Sequence, residues 1–331
     1  MTEAQTKILV TGAAGQIGSE LTPLLRKKFG PENVLATDIK TDIPPVLNDS
    51  GPYEKLDVTN PARLKEIIKK YQINTIYHMS AILSATGEKN PQLAWNVNIS
   101  GTHNILEASR ELSIKKIFVP SSIAVFGPET PKELTPQETV LKPKTMYGVT
   151  KVAGELLCDY YVQHYNLDIR GCRYPGIISY ETLPGGGTTD YAVAIFYAAI
   201  KYKKYTCFVN KNTMLPMMYM PDCLKATINI MEADFSQLEH HSDFNIAGMS
   251  FKVEELAAEI KKHIPAFTVA YKPDYRQEIA DSWPKSVSDA AARKEWNWHP
   301  SYDLASMTKD MLAVLQKRHA AGKLNFLQSP Y

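Results

Sequence analysis

The first 120 residues alternate between short apolar runs and longer segments in which apolar residues recur at helical spacing. Four apolar runs predict strands that are buried on both faces, at residues 6–12, 33–38, 74–80 and 115–122. Intervening segments predict helices at residues 21–29, 61–71 and 91–112. Because strands that alternate with helices form parallel sheets with right-handed crossovers, the pattern predicts a doubly wound α/β domain.

The pattern changes in the second half of the chain. A long helix that begins near Thr145 is followed by a predicted strand at residues 167–174, and beyond Ser179 prolines and glycines interrupt the periodicity. The remaining predicted elements are an apolar segment at 215–223 and helices near 191–202, 224–232, 253–263 and 304–319. We therefore expect two parts: residues 1–179, with roughly 203–233 interleaved, and residues 180–331, which mostly form a smaller lobe.

Composition and charge exclude several classes of protein. The chain has 331 residues, of which 44% are hydrophobic, and 37 Lys and Arg nearly balance 35 Asp and Glu. This balance favours neither a nucleic-acid groove nor a polybasic membrane surface, so we expect no nucleic-acid and no membrane partner. The four cysteines are far apart without metal-ligand spacing, which indicates reduced thiols and no metal site.

No apolar run approaches the roughly 20 residues of a membrane span, and no targeting signal precedes the first predicted strand. The expected compartment is therefore the cytoplasm in a prokaryote, or the mitochondrial matrix in a eukaryote.

A glycine-rich turn joins the first predicted strand to the first predicted helix. The sequence TGAAGQIG places Gly12, Gly15 and Gly18 where a tight turn, a close approach to a pyrophosphate and helix–sheet packing need them. Asp38 stands 20 residues after Gly18 and closes the second strand, where its carboxylate would accept hydrogen bonds from the adenosine ribose. A carboxylate there repels a 2′-phosphate, so the motif predicts NAD binding.

Asp57, in the sequence LDVTN, is expected to end the third strand. It would meet the adenine amino group there, or it would cap the helix that starts at Pro61. The sequence does not separate these two interpretations.

A second motif carries acid–base chemistry. Tyr147 and Lys151 are four residues apart on a predicted helix, so both side chains lie on one face. A lysine ammonium near a phenol favours the phenolate, which can take a proton from an alcohol. Ser121 and Ser122 end a predicted strand and are placed to hydrogen-bond the same alcohol.

Together the glycine motif, the acid after the second strand, SSIAVFG and YGVTK resemble the extended short-chain dehydrogenase/reductase family, in the family's order and over nearly the whole chain. The resemblance implies a Rossmann fold with a smaller, interleaved C-terminal substrate lobe. It implies that Ser122, Tyr147 and Lys151 are catalytic, with Lys151 also holding the nicotinamide ribose. The resemblance favours Ser122 over Ser121, because Ser122 stands five residues before Gly127, which is the position of the family's catalytic Ser or Thr.

The resemblance also assigns further residues to the NAD site. They are Gln16 and Ile17 in the glycine motif, Val58 beside Asp57, His78, Met79, Ser80 and Ala81 after the fourth strand, Asn98, and Tyr174, Pro175 and Ile177 near the nicotinamide.

Two departures from the nucleotide-sugar enzymes of this family point to a small substrate. Those enzymes use an Asn in RYFNxxG and an Arg in a later segment to meet a sugar diphosphate. Here the sequences read RYPGIIS and LPMMYMPD, with Leu215 in place of the Arg. An anionic diphosphate would therefore lose its partners.

The stretch YPGIISYETLPGGGTTDYAV resembles a subgroup of the family that oxidises L-threonine. The implied product is 2-amino-3-oxobutanoate, which loses CO2 or passes to a glycine-forming, CoA-dependent lyase. The implied substrate contacts are Ser80, Ser122, Tyr147, Gly186, Thr188, Thr189, Asp190 and Trp283. The loop residues equally suit a cap for the next helix, and Trp283 equally suits packing between the lobes.

Two alternative functions and one question of assembly stay open at this level. A nucleotide-sugar 4-epimerase or dehydratase, and a non-catalytic NAD-sensing protein, share the same fold. The family commonly dimerises through two helices, here 91–112 and 145–165, so a homodimer is expected. Leu156, Leu157 and Tyr160 on the second helix would also suit core packing.

Overall fold

The computed structural model describes residues 5–185 and 187–324. In chain order, its strands are β1 (Ile8–Thr11), β2 (Val34–Asp38), β3 (Tyr53–Lys55), β4 (Thr75–His78), β5 (Lys116–Phe118), β6 (Ser121–Ser122), β7 (Ile169–Arg170), β8 (Cys172–Tyr174), β9 (Gly176–Ile178), β10 (Lys204–Cys207), β11 (Met214–Tyr219), β12 (Phe244–Asn245), β13 (Met249–Lys252) and β14 (Thr268–Tyr271).

Its α-helices are α1 (Gly18–Phe29), α2 (Pro45–Asp49), α3 (Pro61–Lys70), α4 (Ser84–Lys89), α5 (Pro91–Trp95), α6 (Gly101–Glu111), α7 (Met146–Tyr165), α8 (Tyr191–Tyr202), α9 (Met220–Glu232), α10 (Val253–His263), α11 (Arg276–Ser282), α12 (Ala290–Trp296) and α13 (Leu304–Ala320).

A parallel sheet of six strands forms the centre of the N-terminal part. Its order is β3-β2-β1-β4-β5-β7, so the chain runs outward from β1 in one direction and then crosses to the other side. This reversal beside β1 leaves a crevice at the carboxyl ends of β1 and β4, where open α/β sheets bind their ligands. The predicted α/β, doubly wound fold is confirmed.

Two predicted strands are interrupted where they leave the central sheet. The strand predicted at 115–122 divides into β5 and β6, and the one at 167–174 divides into β7 and β8. β6, β8 and β12 then form a short parallel sheet of their own. Gly171 lies at the second interruption. Glycine is required there, because a Cβ would lie 2.1 Å from the carbonyl oxygen of Val119.

The helix predicted at 91–112 is also interrupted. A π-helical turn at Asn96–Ser100 separates α5 from α6. Such turns widen a helix locally and are frequent near functional sites. The segment predicted at 215–223 is mostly strand β11, and α9 begins within it at Met220.

The second lobe surrounds α8, whose residues from Tyr191 to Ile200 are all buried. Strands β9, β11 and β13 form one sheet beside it, and β10 pairs with β14 in another. Helix α9 instead packs into the apolar cluster under β1 and β2, through Ala226 and Ile230. The division of the chain at residue 179 stays a prediction.

Within the described residues, no helix is both long and apolar enough to cross a membrane. All four cysteines are buried and reduced. Across residues 5–185 and 187–324, no group of three or more His, Cys, Asp or Glu side chains is arranged to hold a metal ion.

Candidate active site

The turn between β1 and α1 has no room for a side chain at two of its glycines. Gly12 has a φ of +64°, and a Cβ there would lie 2.7 Å from the backbone nitrogen of Ser80. A Cβ on Gly18 would lie 2.3 Å from the carbonyl oxygen of Gly12. The turn is thus a close-packed cradle at the N-terminus of α1, where backbone N–H groups attract an anion.

Asp38 ends β2 and lies against this turn. Its carboxylate accepts hydrogen bonds from the backbone N–H of Ala14 at 3.0 Å and of Lys40 at 3.1 Å. The side chain therefore stabilises the glycine turn directly. Its predicted contact with the adenosine ribose stays a prediction.

The catalytic candidates come from two neighbouring elements. Ser122 ends β6, and its Oγ accepts a hydrogen bond from the Ala124 N–H at 3.2 Å. Thr145 caps α7 by accepting a hydrogen bond from the Gly148 N–H at 3.0 Å, which starts the helix just before Tyr147. The two elements place Ser122 and Tyr147 on the lining of the same cleft.

Lys151 follows one turn later on α7. Its Nζ donates a hydrogen bond to the carbonyl oxygen of Pro120 at 2.7 Å and lies 5.6 Å from the centre of the Tyr147 ring. Pro120 directly precedes β6, so the lysine connects α7 to the strand that carries Ser122. The structure therefore brings the three predicted catalytic residues together.

Burial dominates the titration of both catalytic groups. It raises the pKa of Tyr147 to about 12, and the hydrogen bond with Ser122 opposes this rise. Burial lowers the pKa of Lys151 to about 8, against the opposing influence of Cys158 and Glu155. The expectation that Lys151 shifts Tyr147 towards the phenolate is thus outweighed, in this structure, by the desolvation of the phenol.

These residues share one large cleft at the carboxyl ends of β1, β4 and β6. Its volume is about 1040 Å³, including the mouth that opens to solvent. The predicted residues that line it are Gly12, Gly15, Gln16, Ile17, Gly18, Met79, Ala81, Ser122, Tyr147, Lys151, Tyr174, Pro175, Ile177, Thr188, Thr189, Asp190 and Trp283. The cleft thus joins the glycine turn to the three catalytic candidates and to residues 187–190, which we call the threonine loop.

The threonine loop forms part of the cleft wall. Thr188 is buried, and its hydroxyl lies 3.2 Å from the hydroxyl of Ser84. The carboxylate of Asp190 accepts a hydrogen bond from the Gly187 N–H at 2.8 Å, which stabilises the loop itself. The predicted substrate contact at Gly186 lies outside the described residues.

Trp283 fits both interpretations that the sequence left open. It lines the cleft, and it also packs in the apolar cluster of the second lobe. Lys132 holds this region in place, because its Nζ donates to the carbonyl oxygens of Ser282 at 2.7 Å and Trp283 at 3.2 Å.

Six residues that the resemblance assigned to the cofactor or substrate do not line the described cleft. They are Asp38, Asp57, Val58, His78, Ser80 and Asn98.

Asp57 lies in the turn that follows β3. Strand β3 ends at Lys55, before Asp57 is reached. The cap of α3 is Asn60, whose side chain accepts from the Arg63 N–H at 3.1 Å. Asp57 instead accepts hydrogen bonds from the backbone N–H and the hydroxyl of Thr59, in a local turn. The cap interpretation was wrong, and the predicted contact with the adenine amino group stays a prediction.

His78 and Asn98 stabilise the floor of the cleft. The ring nitrogens of His78 lie 2.9 Å from the hydroxyl of Thr11 and 3.3 Å from that of Thr102. Burial lowers the pKa of His78 to about 3, so the ring is neutral. Asn98 bonds both backbone groups of Ile82, at 2.8 and 3.1 Å, and so shapes the turn after β4.

Ser121, which the sequence placed beside Ser122, also lines the cleft. The sequence analysis assigned no role to six further lining residues, which are Leu83, Ser84, Pro120, Ile123, Gly176 and Gly187. Ser121 donates a hydrogen bond to Glu155, which also pairs with Arg173 behind the catalytic strand. Glu155 stands one helical turn after Lys151, and from this spacing the sequence could have predicted that both side chains lie on the same face of α7.

A glycine turn at the switch point of a parallel sheet, with Ser122, Tyr147 and Lys151 beside it, defines a nicotinamide-dependent oxidoreductase of the short-chain type. A sequence model of the NAD dependent epimerase/dehydratase family matches residues 8–247. The chain belongs to that family, and its cofactor is a dinucleotide of the NAD type.

Proteins of known structure and sequence resemble this chain over nearly its whole length. An L-threonine dehydrogenase from Clostridium difficile is 51% identical, with a TM-score of 0.92 over 96% of this chain and 99% of that one. A monomeric L-threonine 3-dehydrogenase from a metagenome is 49% identical, with a TM-score of 0.90 over 94% and 99%. An uncharacterized epimerase/dehydratase of Staphylococcus haemolyticus is 48% identical over 313 residues, or 94% and 98% of the two chains.

Proposed function

We propose that this chain is an NAD-dependent L-threonine 3-dehydrogenase that forms 2-amino-3-oxobutanoate. One observation carries the proposal: Ser122, Tyr147 and Lys151 line the same cleft as the threonine loop. The similarity to L-threonine dehydrogenases at about half identity supports the choice of substrate.

The side chains suit the oxidation of a secondary alcohol. Tyr147, as the phenolate, takes the proton of the threonine hydroxyl, while Ser122 donates a hydrogen bond to the carbonyl oxygen that forms. Bound NAD supplies the acceptor for the hydride that leaves Cβ. Lys151 holds the nicotinamide ribose, and its ammonium stabilises the phenolate once the cleft is closed to water.

The glycine turn fits the pyrophosphate of the cofactor, because it lines the cleft and leads directly into the N-terminus of α1. We assign the cofactor as NAD and not NADP, since the Asp38 carboxylate at the end of β2 opposes a 2′-phosphate.

The amino acid substrate carries an ammonium and a carboxylate, which need partners of opposite character. Thr188 and Thr189 offer hydroxyls, and Asp190 lies beside them at the cleft wall. Trp283 covers the cleft from the second lobe. The product, a β-keto acid, either loses CO2 or passes to a CoA-dependent lyase that forms glycine.

We assign the oligomeric state as a homodimer whose interface is formed by helices α5 to α7.

A direct assay tests the function. NADH absorbance is followed with L-threonine, D-threonine, L-allo-threonine, L-serine and UDP-galactose, each with NAD and with NADP. We expect turnover with L-threonine and NAD, and much less with the diastereomers or with NADP. Activity with the nucleotide-sugar and none with L-threonine would refute the assignment in favour of an epimerase. Binding of NAD without turnover of any substrate would favour a sensor protein.

A further inference from the structure

The first turn of α1 holds the chain segment that leads into the threonine loop. We call residues 177–182 the tether segment. It begins at the cleft wall, and Thr182 stands six residues before Thr188. Its contacts with the glycine turn and α1 are Gln16 Nε2 to the Ile177 carbonyl oxygen at 3.3 Å, Ser179 Oγ to Glu20 Oε1 at 2.5 Å, and Ser19 Oγ to Thr182 Oγ1 at 3.4 Å.

The middle contact is the strongest of the three. Ser179 is fully buried, and its hydroxyl donates to Glu20 while accepting from the backbone N–H of Glu181 at 3.2 Å. Both hydrogen-bonding roles of this hydroxyl are therefore used, which sets its orientation. A carboxylate acceptor roughly doubles the strength of such a hydrogen bond over a neutral one.

The other end of the threonine loop is also attached. Thr188 is buried against Ser84 across the cleft, and Thr189 packs over the backbone of Gly176. A shift of the tether segment would therefore move the cleft wall that faces the alcohol. The same turn of α1 faces the predicted pyrophosphate, so one rigid element contacts both binding regions.

We propose that Glu20 and Ser179 are positioning residues through which cofactor binding at the glycine turn and alcohol binding at the threonine loop favour each other. The inference rests on the proposed function for its substrate. It adds a coupling between two parts of the cleft that acts through α1 and away from the reacting atoms.

The charges around Glu20 make this coupling depend on pH. Burial raises the pKa of Glu20 to about 7, with Glu181 adding to the rise, while the Ser179 hydrogen bond and Arg318 oppose it. The groups that face it are Tyr180 and Glu181 in the tether segment, Arg318 on α13, Tyr197 on α8 and Cys223 on α9. Since the ionised carboxylate binds Ser179 more tightly, the coupling strengthens as pH rises through about 7.

The coupling is measured with NADH and L-threonine, which form a complex that cannot react. The coupling factor is the ratio of the NADH dissociation constants without and with saturating L-threonine, from NADH fluorescence between pH 5.5 and 8.5. Glu20→Gln keeps the size and polarity of the side chain and removes its charge. We expect the factor to fall about fivefold at pH 8 and to lose its dependence on pH near 7.

Steady-state kinetics add a second readout. Glu20→Gln and Ser179→Ala are expected to raise the KM for L-threonine about fivefold at pH 8 and to leave kcat within about twofold. Glu181→Gln is the matched control, because Glu181 lies at the same junction but its side chain pairs with Arg318. It should keep the wild-type coupling factor and KM at pH 8, with the pH dependence of the coupling retained but moved to lower pH, because Glu181 adds to the raised pKa of Glu20. Circular dichroism checks that each variant is folded.

The inference is overturned if Glu20→Gln keeps the wild-type coupling factor and its pH profile, or if Glu181→Gln loses them equally. Failure of the proposed function looks different, because the wild type itself would then not oxidise L-threonine. The coupling would in that case be measured with the alcohol that the substrate panel identifies, by the same ratio.

Discussion

Tyr147 is the residue on which the proposed chemistry depends most. It lines the same cleft as Ser122, and the Nζ of Lys151 lies 5.6 Å from the centre of its ring. Tyr147→Phe removes the proton acceptor and little else, so kcat should fall by roughly 10²- to 10⁴-fold while NAD binds almost as before. Tyr160→Phe on the same helix is the control, since its ring is exposed and far from the cleft. Turnover above about a tenth of wild type in Tyr147→Phe would contradict its role as base.

Glu20 illustrates how one buried carboxyl group affects stability. Its pKa rises from 4.5 to about 7 on folding, so the folded protein binds the extra proton between these values. The stabilising contribution of the protonated form is complete below pH 4.5 and is lost as pH rises through about 7.

Glu20→Gln should therefore flatten part of the pH dependence of folding. Relative to this variant, the wild type should lose up to about 3 kcal/mol of unfolding free energy between pH 4.5 and 7.5. Urea denaturation at several pH values measures the difference. A constant offset between the two proteins across this range would show that Glu20 does not titrate there.

At the scale of elements, the turn between β1 and α1 tests the cofactor site. In Gly12→Ala, the new Cβ would approach Ser80 N to 2.7 Å, and the φ of +64° would be strained. We expect at least a tenfold loss of NADH affinity by fluorescence titration. Gly154→Ala is the control, because no atom lies within 4 Å of the added Cβ and the position is inside α7. Equal affinities for the two folded variants would argue against binding at this turn.

The elements that the sequence predicted well are those whose determinants are close together in the chain. The glycine turn, the cap at Thr145 and the pair Tyr147 and Lys151 each depend on residues within one or two helical turns. The division of the strand predicted at 167–174 was missed, because it depends on a contact between Gly171 and the backbone of Val119, which is distant in the chain.

The site was predicted less completely for the same reason. Ser84 lines the cleft because it meets Thr188, 104 residues further on, and no local pattern indicates that contact. His78 was assigned to the cofactor from its place after β4, but its ring turns into the interior towards Thr11 and Thr102. The position of a turn can be predicted from a motif, whereas the direction of a side chain depends on tertiary packing.

At the scale of the molecule, a buried ion pair joins Arg173 on β8 to Glu155 on α7. Arg173 donates to Glu155 at 2.9 and 2.8 Å and to the carbonyl oxygen of Gln137 at 3.1 Å. Both side chains of the pair are at most 5% exposed. Removing one partner leaves the other charge buried and unpaired, which is costly, whereas removing both is much less so.

Arg173→Met should therefore lower the free energy of unfolding by about 3–5 kcal/mol, and the double variant Glu155→Leu/Arg173→Met should recover a large part of that loss. Lys142→Met, which breaks the exposed pair with Glu129, serves as the control and should cost less than about 1 kcal/mol. Guanidinium denaturation gives all three values. A double variant no more stable than Arg173→Met would show that the pair acts through packing and not through its charge.

The surface of α7 predicts how the chain assembles. Val149, Leu156 and Tyr160 form an exposed apolar stripe along this helix, and Leu156 is 64% exposed. A stripe of this kind suits a two-fold interface with a second copy. We therefore expect light scattering to give twice the mass of one chain for the wild type and a single chain's mass for Leu156→Glu. Leu134→Glu, at an equally exposed leucine outside α7, should stay dimeric. A wild type that is monomeric at micromolar concentration would refute the dimer and leave the stripe unpaired in solution.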